Sequence, residues 1–488
     1  MSDKQENLAP NLWDVQLQIK QIQSKLPKRE ELYDITLVTP MYGGGSKARE
    51  INEKHPIREA SIRGHLRFWW RATRGAECKN VLELRKWEAA IFGDTTTPSR
   101  VKIWTETVGA PPVIKKTRLD EVPPPSYVLF SVRKNPTDYL ENYSFRLHIR
   151  YDEADLEPEE IKALRQELHA ALWAWINFGG LGSRTRRGAG SLYCPKFSPP
   201  RGQDLQQWYD EKIGKYELDL LPVGEYRDWP TLSTTIHFNQ IKNDNTKGHV
   251  NNKPNIMYHW KDVINTYHCF RQRRNEDEDG NKKRSLWPEP DSIRRIMGRF
   301  QPGHERLFTL DQERLMYAFP RSQLGMPIIT TFHPKDHDEP YKTELLPVGK
   351  DRLASPLILK AIAVDKNRGI GAIIVLNHKP ITGLKLRRMA ERRMDNNLKK
   401  ATNSKKLIWE HIQKETVEFV EIDEKINNLT ITPEHIYSSL KYGKSPMKIE
   451  GIPTTSAIEA FLNSEEVRRW NQGKSNTPPR IYRPKQNQ

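Results

Sequence analysis

Residues 158–178 carry a helical pattern that ends abruptly in a glycine-rich run, and this junction constrains the fold more than any other stretch. Pro158, Glu159 and Glu160 put a proline and two acids in a first helical turn, where the missing N–H and the helix dipole favour them. Ile161, Leu164, Leu168, Leu172 and Trp175 then recur at helical spacing, as a core-facing stripe does. The helix is expected to stop at Phe178-Gly179-Gly180-Leu181-Gly182-Ser183-Arg184-Thr185-Arg186-Arg187-Gly188-Ala189-Gly190, with a short strand over 191–194. No Asp or Glu lies between Leu168 and Gln203, so Arg184, Arg186 and Arg187 have no local counter-charge. Folding alone explains such a loop poorly; contact with a polyanion explains it well.

A second basic stretch, REASIRGHLRFWWRATRG over 58–75, reads as an amphipathic helix. At 100° per residue, Arg63, Arg67, Arg71 and Arg74 fall within roughly an 80° arc, with Ile62, Leu66, Trp69 and Ala72 opposite. Four like charges on one stripe repel, so an anionic partner is expected there, with Trp70 at the stripe's edge to stack a base. The alternative is an arginine face paired with carboxylates elsewhere in the fold. Upstream, a strand over 33–38 leads through Thr39-Pro40 into Met41-Tyr42-Gly43-Gly44-Gly45-Ser46-Lys47. Consecutive glycines let backbone N–H groups approach a ligand, and Lys47 adds a charge. Neither a GK[ST] ending nor a GxGxxG spacing follows, which argues against a nucleotide-binding P-loop and a dinucleotide fold.

The order of strand, TPMYGGG, SIRGHLRFWWRA, long helix and GGLGSRTRRGAGS resembles the repeat-associated mysterious proteins (RAMPs) of CRISPR systems. Within that family, Ile62-Arg63-Gly64-His65-Leu66-Arg67-Phe68-Trp69-Trp70-Arg71 is similar to the helix of the first-numbered RAMP subunit of type III-B Cmr complexes. The likeness is firm over 33–194 and weaker at Trp287-Pro288-Glu289-Pro290-Asp291, at 318–327 (AFPRSQLGMP) and at 352–357 (RLASPL). It implies an α+β chain of two fused ferredoxin-like (RRM-like) domains with insertions. It also implies a non-catalytic RNA-binding subunit of an RNA-guided antiviral effector complex, binding guide RNA towards its 3′ end and helping to capture target RNA. Its partners would be guide RNA, target RNA and other Cmr or RAMP subunits, with no cofactor and no metal. The residues expected at RNA are Gly43, Gly44, Gly45, Lys47, Arg58, Arg63, Arg67, Trp70, Arg71, Arg74, Gly180, Gly182, Ser183, Arg184, Arg186 and Arg187.

Two other readings stay open. A metal-independent RAMP endoribonuclease would use His55 or His65 as base beside Arg63 and Arg67. Against it, His65 falls at about 200° on the helical wheel, towards the apolar side. A protein-only scaffold would touch no RNA at all.

Charge and composition fit a nucleic-acid partner. The 488 residues carry a formal net charge of +17 with a pI near 9.5, and no apolar run is long enough for a membrane span. Cys78, Cys194 and Cys269 are isolated, without a CxxC, so a reducing cytoplasm is expected, and the N-terminus does not read as a secretory signal.

The expected organisation is an arm over 1–29 with a short helix near 17–22, a first domain over 30–198, a linker over 199–230, a second domain over 231–472 and a flexible tail over 473–488. Within the second domain, strands are expected at 231–238 and 327–332, and as a hairpin of 357–364 and 370–376 joined through 365–368. Helices are expected at 291–300, capped by Ser292, and at 456–470. The basic stretch 384–406 reads as a solvated connector rather than a helix laid on RNA, and 275–284 as a surface loop rather than a calcium loop.

Overall fold

Alternation of apolar residues builds the first sheet. In β1 (Glu30–Leu37), Tyr33, Ile35 and Leu37 point into the core while Leu32 and Asp34 face solvent. β1 pairs antiparallel with β6 (Ser144–Tyr151), which pairs with β3 (Val101–Val108), and β7 (Leu192–Tyr193) closes the other edge. Helix α1 (Glu59–Ala72) falls between β1 and β3, and α3 (Pro158–Phe178) between β6 and β7. The elements of this sheet and its two helices thus run strand, helix, strand, strand, helix, strand, with sheet order β3-β6-β1-β7, while β2 (Met41–Tyr42), β5 (Thr137–Leu140) and β4 (Ile114–Thr117) form a small side sheet in that order. The structure is a computed structural model describing residues 30–117, 127–128, 136–239, 249–250, 253–276, 282–300, 309–310, 317–332, 339–340, 342–388, 431–438, 440–442 and 445–476.

Helix α3 forms as its sequence directs. Glu157 and Glu160 make a reciprocal capping box, Pro158 occupies the first turn, and from Trp173 to Phe178 every residue is buried. A shorter helix, α2 (Val81–Phe92), lies beside α1 and is capped by the Asn80 side chain. The stretch 199–230 is not an open linker. It contains α4 (Leu205–Lys215), capped by Asp204, whose Trp208 and Tyr209 stand 5.9 Å and 5.8 Å from the Trp173 ring.

The second half contributes β8 (Thr231–Phe238), helix α5 (Asn255–Arg271), β11 (Leu357–Ala363) and β12 (Gly369–Asn377). The three strands form an antiparallel sheet in the order β11-β12-β8, with the expected hairpin in register from Leu357↔Val375 to Ala363↔Gly369. Every residue of β11 and β12 is buried, because the sheet is covered on both sides. Ile358, Ile362, Ile370, Ala372 and Ile374 join the core of the first half. Leu359, Ala361, Ile373 and Val375 pack instead with Ile256, Trp260, Val263 and Ile264 of α5.

Another sheet takes β9 (Ile328–Thr330), β10 (Thr343–Pro347) and β13 (Leu384–Arg388) in that order, over Ile293, Phe319, Leu345 and Leu386. The basic stretch 384–406 therefore begins as a paired strand, and 389–406 lies outside the described residues. Helix α6 (Glu289–Ile296) starts at Pro288; Ser292 sits inside it and donates to the Ala318 carbonyl at 3.0 Å rather than capping. The expected helix at 456–470 is two, α7 (Ala457–Leu462) and α8 (Glu465–Asn471), because Ser464 caps a fresh start by accepting from the Val467 N–H. Residues 274–276 and 282–285 pair as a short ladder. The tail is anchored at its root: Asn476 is buried and donates to Thr266 Oγ1 at 3.0 Å. The arm over 1–29 and the tail beyond 476 lie outside the described residues.

Candidate nucleic-acid interface

The two glycine-rich stretches meet. Ser183 donates its backbone N–H (2.8 Å) and its hydroxyl (2.9 Å) to the Tyr42 carbonyl. Gly190 N–H reaches the Pro40 carbonyl at 2.9 Å, and Thr39 Oγ1 donates to the Gly188 carbonyl at 2.7 Å. Gly182, at φ +77°, packs so tightly that a β-carbon would stand 2.9 Å from the Tyr42 oxygen and 2.5 Å from Met41 Cγ. Around this seam Gly44, Lys47, Arg58, Ser183 and Arg184 are exposed, Gly45 is half-buried, and Gly43 and Gly180 are buried. Arg58 donates to the Gly45 carbonyl at 3.3 Å, and Gly45 N–H bonds the Glu50 carbonyl at 2.8 Å, so the first loop closes on itself. Partial desolvation, with Arg187 and Arg352 nearby, lowers the Arg184 pKa.

The arginine stripe of α1 is different from its expectation. Arg67 Nε lies 2.5 Å from Glu88 Oε1, and Arg71 Nη1 lies 3.2 Å from both Glu88 oxygens. Arg63 donates to the Phe92 carbonyl and Arg67 to the Gly93 carbonyl at 3.3 Å, so both cations also cap the C-terminus of α2. Arg74 binds Glu167 at 2.6 Å and the Glu217 carbonyl at 2.9 Å. Arg67, Arg71 and Arg74 are thus neutralised by internal carboxylates, the alternative that the spacing had left open. Trp70 is corrected outright: it is 2% exposed and donates its indole N–H to Glu167 at 2.7 Å, so no base can stack on it. Its position beside the stripe hid the carboxylate on α3 that draws it inward.

Arg186 and Arg187 point away from the seam's open side. Arg186 donates to the Ser355 carbonyl, and its guanidinium lies 5.9 Å from the centre of the Phe68 ring. Burial, with Arg187 adding to it, pushes its pKa down to about 10. Arg187 donates to the Leu357 carbonyl at 2.8 Å and covers the Tyr267 ring at 4.7 Å, while Trp260 Nε1 donates to the Arg187 carbonyl at 2.6 Å. These two arginines clamp the loop to β11 and α5. Sequence reading missed a third clamp, Lys360, which is 1% exposed and donates to the Gly179 carbonyl at 2.8 Å. Burial pushes its pKa down to about 7. The single lysine within the apolar run LILKAIA was the available signal.

The two candidate histidine bases sit in different surroundings. His65 stacks on Trp175 with ring centroids 6.3 Å apart, and burial lowers its pKa, whereas His55 is exposed. Among the described residues no three His, Cys, Asp or Glu side chains group as metal ligands. Among them too, no helix is long and apolar enough to cross a membrane.

Known proteins match this chain in part. The RAMP superfamily model matches residues 34–193, the segment that contains both glycine-rich stretches and α1. The CRISPR system Cmr subunit Cmr1-2 of Pyrococcus furiosus is 30% identical over 184 residues, covering 33% of this chain and 94% of that protein. Cmr1-1 of the same organism is also 30% identical over 184 residues, which span 50% of its length. Among solved structures, apo Cmr1 from Pyrococcus furiosus aligns over 75% of this chain and 91% of its own, with 16% identity and a TM-score of 0.41. A type III-B Cmr-beta complex bound to cognate target RNA contains a chain aligned over 71% of this one and 94% of its own, with 12% identity and a TM-score of 0.41. With nearly the full length of one Cmr1 protein matched at 30% identity, the chain belongs to the RAMP superfamily, beside the Cmr1 subunits of CRISPR systems.

Proposed function

We propose that this chain is a non-catalytic RNA-binding subunit of a type III-B Cmr effector complex, which binds guide RNA towards its 3′ end and helps to hold target RNA. On this reading the first half is a ferredoxin-like domain, consistent with its strand–helix–strand–strand–helix–strand order, and the second half is a related, heavily inserted one. One observation carries the RNA assignment: two glycine-rich loops far apart in sequence are hydrogen-bonded together and display Lys47, Arg58 and Arg184 around their seam. The backbone of the seam would approach the sugar–phosphate chain, the three cations would contact phosphates, and base pairing would read the sequence. Arg63, Arg67 and Arg71 would act at longer range, since Arg67 and Arg71 share the Glu88 carboxylate and Arg63 is bonded to the Phe92 carbonyl.

Three phosphate contacts give a log–log salt slope of about −2 for a single strand. Changing Lys47, Arg58 and Arg184 together to alanine should bring that slope towards zero and weaken RNA binding without altering the unfolding midpoint. Filter binding across a salt series reads both quantities. Unchanged affinity, with no crosslink from the 179–190 loop to RNA, would favour a protein-only scaffold.

A further inference from the structure

Two of the weaker family-like motifs of the second half, 287–291 and 318–327, contribute to a cleft remote in sequence from the glycine seam. The cleft holds about 480 Å³ and is lined, among the described residues, by Arg274, Arg284, Arg294 and Arg321 with Asp291 and Glu339 as carboxylates. Asp291, from the WPEPD motif, binds Arg284 and, at 2.9 Å, Arg294, while Glu339 takes both Nε and Nη2 of Arg294 at 2.8 Å and 2.9 Å. Those two carboxylates are thereby committed to two of the arginines.

Arg321, from the AFPRSQLGMP motif, is held differently. Its side chain is 15% exposed, and its Nε stands 3.8 Å from Glu289 Oε2, beyond hydrogen-bond reach. Both of those atoms are buried without a hydrogen-bond partner among the described residues. Glu289 spends its other oxygen on the Arg321 backbone N–H at 2.6 Å. A desolvated guanidinium at a cavity wall, imperfectly paired, is costly unless something anionic completes it. The lining also offers an apolar surface: Phe332, covered by Arg294 at 4.9 Å, and Ile329, which is 51% exposed. Cationic and apolar groups lining one cavity of this size suit a phosphate joined to a flat, partly apolar group.

We infer that this cleft is a second binding site, for a phosphate-bearing ligand of mononucleotide size, anchored by Arg321. The same chemistry is offered by a free nucleotide and by one nucleotide splayed out of an RNA strand. The site is independent of the proposed role of the glycine seam, which stays intact in the test.

Calorimetric titration of the full chain with adenosine monophosphate, adenosine and a short single-stranded oligoribonucleotide distinguishes these sources. Adenosine monophosphate should bind, adenosine should bind about tenfold more weakly or worse, and Arg321→Gln should cost about tenfold in affinity for the monophosphate, with Arg321→Lys intermediate. Binding of the oligoribonucleotide alone, reduced by Arg321→Gln, assigns the site to an RNA strand. Folding of the variants is checked by circular dichroism, and Arg321→Lys keeps the test open if Arg321→Gln unfolds. Equal binding of adenosine and its monophosphate, or wild-type affinity in both Arg321 variants, overturns the inference. So does an absence of binding by all three probes, as expected for a cleft that takes an acidic protein side chain.

Discussion

Removing Arg67 and Arg71 decides whether the α1 stripe serves the fold or the RNA. Glu88 is 4% exposed at its side chain, and these two arginines are its cationic partners among the described residues. A buried carboxylate stripped of its partners costs about 3–5 kcal/mol. The arginines are themselves 32% and 36% exposed, so water already screens part of the attraction, and roughly 2–3 kcal/mol is the expected loss for Arg67→Ala with Arg71→Ala. Adding Glu88→Gln removes the stranded charge and should recover most of it, leaving a deficit of about 1 kcal/mol. Urea unfolding followed by tryptophan fluorescence measures both variants, and a filter-binding titration on each measures RNA affinity. If the double variant unfolds within about 0.5 kcal/mol of the wild type yet loses RNA binding, the ion pairs are incidental and the stripe is a phosphate contact after all.

Lys360→Met should stabilise the protein near neutral pH, because the lysine is buried with its pKa pushed down from 10.5 to about 7. Between those values the unfolded chain holds a proton that the folded chain lacks, so stability rises with pH through that window and the penalty is full below pH 7. The nominal penalty is about 5 kcal/mol, less about 1–2 for the lost bond to Gly179. The gain from methionine should therefore be largest at pH 6.5 and gone by pH 10, and a pH-independent effect in urea unfolding contradicts the burial account. Gly190→Ala places a β-carbon 1.9 Å from the Leu181 carbonyl oxygen at φ +66° and should cost at least about 3 kcal/mol, whereas Gly64→Ala, with nothing within 4 Å, should gain about 0.5–1. Thermal unfolding of the pair checks this, and similar melting temperatures would refute the packed loop.

Local chemistry was legible where it was self-contained. The capping box at Glu157 and Glu160, the apolar stripe through Leu164, Leu168 and Leu172, and the hairpin through Asp365 to Arg368 all depend on neighbours close in sequence. The glycine seam was half legible: both loops were visible, but the Tyr42–Ser183 pairing that joins them is a long-range contact. The arginine stripe misled for the same reason. Its counter-charges sit on other helices, Glu88 on α2 and Glu167 on α3, and a helical wheel sees only its own element. Residues 199–230 looked like a connector because prolines and mixed charge dominate, yet Trp208 and Tyr209 bury themselves on Trp173.

The sheet of β8, β11 and β12, covered on both faces, has a consequence for synthesis on the ribosome. About 180 residues separate Phe178 from Leu357, so at roughly 5–20 residues per second the first half waits about 10–35 s before its apolar cover is translated. During that interval the surface later met by Ile358, Ile362 and Ile374 stays wet. A chain cut in the middle should therefore yield sticky fragments rather than two soluble modules, and a chaperone or an assembly partner has its longest window to act before the hairpin arrives.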